Sequence, residues 1–254
     1  TTEIYTLSLH DALPIYDVRD MIGNDGNMWY FTWNGVHVAK GSEWRHITET
    51  ESLISNNVLC GSIDRNGVAY AGTIYGMSVI GRDLSSVSYS IPNTPFGCNF
   101  VSLAVDAGGR LIAAADSVGI NVRDSGAWNR LGGACETQLK TTRSITFGPD
   151  STIVFNTGTG LVVWNRGGWK THTRKEGIAG EDVRCGVYDR DGRYWAGTST
   201  GVSCLSGGTW ERYREGHGLP SENVWTCVAD SSGVIWFGTS RGIVSFAKNE
   251  ISNW

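Results

Sequence analysis

From Val18 onward the chain reads as short runs of alternating apolar and polar residues, broken by glycine-containing turns. The runs are rich in β-branched and aromatic residues, and turn signals recur at roughly 8–12-residue spacing, the pattern of short antiparallel strands. One stretch shows the layout. Val183–Tyr188 is a strand, Asp189–Gly192 a turn, and Arg193–Thr198 a second strand. Ser199–Gly201 turns the chain into Val202–Leu205, and Gly207-Gly208 leads to a fourth strand, Trp210–Arg214. No window carries a helical period with caps, so the pattern predicts an all-β chain.

The layout repeats around one frame. Asp191-Gly192 is followed by Trp195, Thr198 and Gly201. The same frame runs through Asp25-Gly26, Trp29, Thr32, Gly35; through Asn66-Gly67, Tyr70, Thr73, Gly76; and through Ser232-Gly233, Trp236, Thr239, Gly242. Asp150, Val154, Thr157, Gly160 is a degraded copy, and Gly108-Gly109, Ile112, Ala115, Gly119 a copy with one inserted residue. The closing glycines fall 41, 43, 41, 41 and 41 residues apart. A period near 40 built of turns and strands predicts propeller blades of four strands each. The expected architecture is a β-propeller of six four-stranded blades, at 18–48, 58–90, 100–131, 142–173, 183–214 and 224–254. An incomplete seven-bladed ring is the alternative, because the last repeat reaches its fourth strand only at the final residues. Trp44, Trp128, Trp169 and Trp210 enter the fourth strands and are expected to pack between blades.

Residues 1–15 stand apart. TTEIYTLSLHDALPI resembles the translation of a sequencing adapter, so a single propeller domain is assigned to 16–254 and the leader is excluded from functional reasoning. Its Glu3–Leu9 stretch alternates like a strand and is a candidate to pair with an exposed sheet edge.

Composition narrows the function classes. The net charge is −4, with no basic stripe, which argues against a nucleic-acid partner. No apolar run reaches the roughly 18 residues of a spanning helix. The six cysteines show no metal spacing. Cys60, Cys185, Cys204 and Cys227 read as small buried residues. Cys98 and Cys135 lie in connections between repeats, where a disulfide between them is one option and two free thiols the other. No catalytic set, metal set or cofactor motif is evident.

Gly218-Leu219-Pro220-Ser221-Glu222-Asn223-Val224, with Asp230, Gly233, Trp236, Thr239, Gly242 and Ile243, resembles the two-component regulator propeller repeat. Gly177-Ile178-Ala179-Gly180 before Val183 is a weaker copy. The resemblance covers about 16–254, strongest in the fifth and sixth repeats. It implies a periplasmic or extracellular sensor region of a hybrid histidine kinase, which binds a ligand such as a glycan fragment and relays it to a kinase module.

Strand direction sorts the loops. The connection into each first strand and each second–third turn share one face of a meander. The residue after each first-strand start reads Arg19, Leu59, Val101, Arg143, Arg184 and Trp225, and the next reads Asp20, Cys60, Ser102, Ser144, Cys185 and Thr226. Turns on the same face carry Trp33, Tyr75 and Arg241. The candidate ligand-binding set is therefore Arg19, Asp20, Trp33, Tyr75, Arg143, Arg184, Trp225 and Arg241. Arginine forks suit carboxylates and aromatic faces suit sugar rings. The alternative is that these arginines are solvated, or paired with Asp20, Glu181 or Asp182. Asp64, Asp106, Asp189 and Asp230 sit in first–second turns and are expected to cap them. Two further functional alternatives stand beside the sensor: a propeller lyase similar to streptogramin lyases, and a protein-interaction platform.

Overall fold

A computed structural model of the chain describes residues 17–90, 99–116, 118–124, 126–131, 135–165, 168–247 and 250–254. Six four-stranded antiparallel sheets follow one another in a ring, each a simple meander, so the protein is a six-bladed β-propeller. The first blade runs Val18–Asn24, Asn27–Thr32, Gly35–Lys40 and Glu43–Ile47. The fifth runs Val183–Tyr188, Tyr194–Thr198, Gly201–Ser206 and Thr209–Tyr213, within a residue or two of the strands read from the alternation.

The repeated frame is a pair of turns. In the first–second turn, the Asp189 carboxylate accepts the backbone N–H of Asp191 and Arg193 at 3.0 and 2.9 Å, then the Arg193 and Trp195 side chains at 2.7 and 2.8 Å. Asp230 repeats this with Ser232, Val234 and Trp236, while Asp64 and Asp106 cap their own turns with backbone N–H groups alone or with one arginine. These aspartates are turn caps, and in the fifth and sixth blades the frame tryptophan is locked to the cap. In the second–third turn the Thr198 hydroxyl donates to the Gly201 carbonyl at 2.8 Å and accepts the Thr200 N–H. Gly201 has a φ of 123°. A β-carbon there would stand 2.5 Å from the Tyr213 carbonyl oxygen on the fourth strand. Only glycine tolerates both conditions.

The core lies between blades rather than within them. Trp29, Phe31 and Val38 of the first blade pack with Val58, Ala71 and Ile80 of the second, and equivalent clusters fill the next four junctions. Phe31, Phe155 and Phe237 are fully buried, each contributing roughly 2–3 kcal/mol. Trp128, Trp169 and Trp210 pack against the preceding blade as expected. Trp44 differs: it is 37% exposed and stacks on Tyr30 of its own blade. The reason lies in the sixth-to-first junction, which has no such cluster among the described residues. Val228 and Trp254 on one side and Met21 on the other are 58%, 74% and 60% exposed. The Glu3–Leu9 segment lies outside the described residues.

Candidate functional site

The ring gathers one set of loops at one mouth. In the third to sixth blades the second–third turn is tied to the connection entering its own first strand. Asp116, Gly158, Ser199 and Ser240 donate backbone N–H groups to the carbonyls of Asn99, Thr141, Asp182 and Asn223 at 2.9 to 3.1 Å. These loops therefore form one rim, as strand direction requires.

Every first strand carries a β-bulge at that rim. Pairing with the second strand jumps from Val18 to Asp20, from Val58 to Cys60, from Phe100 to Ser102, from Thr142 to Ser144, from Val183 to Cys185 and from Val224 to Thr226. The skipped residues are Arg19, Leu59, Val101, Arg143, Arg184 and Trp225. A bulge frees one residue from the ladder and re-aims its side chain. The variable position in each repeat is thus the one residue the fold releases.

From the second blade to the sixth these bulge residues make an arc. Leu59, Val101 and Arg143 line a cavity of about 470 Å³ with Asn99, Asp116, Lys140 and Thr141. Arg143 and Arg184 then meet on one carboxylate, with their Nε atoms 3.3 and 3.0 Å from the two oxygens of Asp182. Arg184 also donates to the Asn223 side-chain oxygen at 2.6 Å and stands 4.0 Å from the Trp225 ring centre. The Trp225 indole N–H donates to Ser240 at 3.0 Å, yet the ring remains 56% exposed. A guanidinium thus backs an open aromatic face.

The remaining expected residues are arranged differently. Arg19 stacks over Trp33 at 5.0 Å. Trp33 and Tyr75 are 49% and 60% exposed on turns of the first and second blades. Arg241 pairs with Glu215 at 2.8 Å. Asp20 does not pair with an arginine; it accepts the Gly61 N–H of the next blade at 2.8 Å, and burial pushes its carboxyl up to about 6. Lys140 was not among the residues the sequence singled out. It ends the helical turn Glu136–Leu139 in an inter-blade connection, and only the ring brings it to the cavity. Of the Cys98–Cys135 pair, Cys98 lies outside the described residues and Cys135 is buried.

A rim of variable bulge residues over a regular ring of six blades defines this β-propeller. Residues 218–241 match the family model of the two component regulator propeller, so the sixth blade carries that repeat. No curated protein matches the chain. The fold is similar to the extracellular domain described as that of hybrid two component system BT3049 from B. thetaiotaomicron, at 21% identity and TM-score 0.62, covering 93% of this chain and 40% of that one. It is also similar to PorZ of the Porphyromonas gingivalis type-IX secretion system, at 15% identity and TM-score 0.76, covering 94% and 41%. A third similar structure is a catalytically inactive histidine-to-alanine variant of virginiamycin B lyase from Staphylococcus aureus with quinupristin. It shows 13% identity and TM-score 0.72, covering 93% and 85%. The chain spans about two fifths of the first two structures. Among the described residues no helix is long and apolar enough to cross a membrane.

Proposed function

We propose that this propeller is a non-enzymatic ligand-sensing module whose bulge rim binds a glycan fragment bearing an acidic group. In the full-length protein it is the periplasmic or extracellular part of a two-component sensor, coupled to a histidine kinase module. The observation that carries the reading is the arc itself. An open cavity holding Arg143 and Lys140 is linked through Asp182 to Arg184, which backs the face of Trp225. Two arginines on Asp182 leave one positive charge in excess, while Lys140 is offset by the Asp116 carboxylate in the same cavity. Cations fix a carboxylate and the indole stacks on a sugar ring.

The lyase reading draws support from the fold likeness alone. A histidine-dependent reaction needs an imidazole facing the ligand, and none lines this cavity. His46 is engaged with the Asn34 carbonyl, and His172 with the Trp210 indole.

The test is calorimetry with uronate-containing and neutral oligosaccharides. The sensor reading expects saturable binding of an acidic sugar without turnover, lost when Arg143 and Arg184 are both changed to Ala. Unchanged affinity in that double variant rejects the site. Chain cleavage of the ligand replaces the sensor with an enzyme, and capture of a protein with no glycan binding replaces it with a docking platform.

A further inference from the structure

The fifth and sixth blades hold a pair of thiols that the ligand site does not use. Cys185 follows the bulge of the fifth blade's first strand, and Cys227 lies just past the bulge of the sixth. Both belong to the apolar cluster between these two blades. Gly197 beneath them confirms the placement. A β-carbon on Gly197 would stand 2.5 Å from the Cys185 sulfur and 2.7 Å from Val224 of the sixth blade, so the sulfur sits at the junction. Cys185 is buried in this cluster, Cys227 is half-buried against it, and neither is part of a disulfide.

The pairing is peculiar to this junction. At the first-to-second junction the Asp20 carboxylate, at the Cys185 position, accepts the N–H of Gly61, at the Cys227 position of the next blade. The equivalent pairs are Asp20 with Gly61, Cys60 with Leu103, Ser102 with Ile145, and Ser144 with Gly186. Cys60 and Leu103 share one apolar cluster, an ordinary hydrophobic contact. Only the fifth-to-sixth junction sets sulfur against sulfur.

We propose that Cys185 and Cys227 are a disulfide-forming site that staples the fifth blade to the sixth. The oxidant is a thiol–disulfide reagent of the glutathione-disulfide class. One cysteine thiolate attacks a sulfur of the reagent, forming a mixed disulfide and releasing one reduced thiol. The second cysteine loses its proton and attacks the mixed disulfide, forming the Cys185–Cys227 bond and releasing the second reduced thiol. Two protons and two electrons leave the protein, and one reagent disulfide becomes two thiols. The interaction with Cys185 and burial push the Cys227 thiol up, so the reaction is faster in mild alkali than at neutral pH.

The bond lies beside the rim. Arg184 precedes Cys185, and Trp225 lies two residues before Cys227. The staple therefore fixes the two strands that hold the Arg184–Trp225 contact. The chemistry itself does not depend on what the rim binds.

The test oxidises the folded chain with glutathione disulfide under mildly alkaline conditions, then maps peptides without reduction. The expected result is a linked peptide pair containing Cys185 and Cys227, lost in C185S and in C227S. Oxidised protein should melt roughly 6–12 °C higher than reduced protein, as expected for a cross-link closing a loop of this length. If a serine variant fails to fold, the wild-type map decides alone. Cys185 and Cys227 remaining as free thiols, each capped by glutathione, or joined to other cysteines overturns the proposal.

Discussion

The guanidinium of Arg184 stacks on the ring of Trp225 across the boundary between the fifth and sixth blades, 4.0 Å from its centre. Both are bulge residues, so two adjacent first strands each release one side chain and the pair meets at the rim. Trp225→Ala removes the exposed aromatic face and leaves the core intact. The expected loss is about 1–2 kcal/mol of binding, roughly tenfold in Kd, for an acidic oligosaccharide. The unfolding midpoint should hardly move, because Trp225 is more than half exposed. Calorimetry beside thermal melting checks both, and a large fall in stability with unchanged Kd would make Trp225 a structural residue.

Asp182 decides how much charge the rim offers. It holds Arg143 and Arg184 together, and it also competes with any anionic ligand for them. Asp182→Asn keeps the backbone carbonyl that anchors Ser199 and removes only the carboxylate charge. Affinity for an anionic ligand should rise several-fold and fall more steeply with salt, while stability drops by less than about 1 kcal/mol. Titrations at low and high ionic strength check this. Weaker binding in D182N would mean that Asp182 itself accepts hydrogen bonds from the ligand.

The ring was legible in the sequence because each blade repeats a local demand. Gly201 is needed by its own positive φ and by the nearby Tyr213 carbonyl, and the equivalent glycines mark the period. Turn caps such as Asp189 are local too. The rim was legible only in outline. Strand direction placed Arg143, Arg184 and Trp225 on one face, yet their release by bulges depends on register, which periodicity does not reveal. Lys140 and the Cys185–Cys227 contact arise from how whole blades pack, so no local pattern announces them. The sharing of Asp182 by two arginines was one of the options left open, and it took the packing of the fourth blade on the fifth to select it.

The frame glycines should be intolerant in proportion to their surroundings. Gly201→Ala combines a left-handed φ of 123° with a β-carbon 2.5 Å from a backbone oxygen that has little room to withdraw. A loss of about 3 kcal/mol or more is expected. Gly207 has a φ of 57° and nothing within 4 Å of an added β-carbon, so Gly207→Ala should cost only about 1 kcal/mol. Urea unfolding of both variants measures the difference. Equal losses would show that the close approach to Tyr213 relaxes easily.

Asp20 gives the fold a pH dependence that can be isolated. Its carboxylate reaches the Gly61 N–H from the first blade to the second, but burial outweighs that hydrogen bond and pushes its pKa from 3.8 to about 6. The folded chain therefore holds the Asp20 proton more tightly than the unfolded chain does. Its contribution to stability is fully present below pH 3.8, declines as pH rises, and is lost once pH passes about 6. Above that, an ionised carboxylate sits in a site that favours the neutral acid. Asp20→Asn keeps an oxygen to accept the Gly61 N–H and removes the titration. The variant should be more stable than the parent at pH 7, and its advantage should shrink as pH falls from 6 toward 4. Chemical denaturation of both proteins across that window provides the measurement. If the parent and D20N curves stay parallel from pH 4 to pH 7, Asp20 is ionised throughout and its first-to-second blade contact stabilises the protein as a charge-assisted hydrogen bond instead.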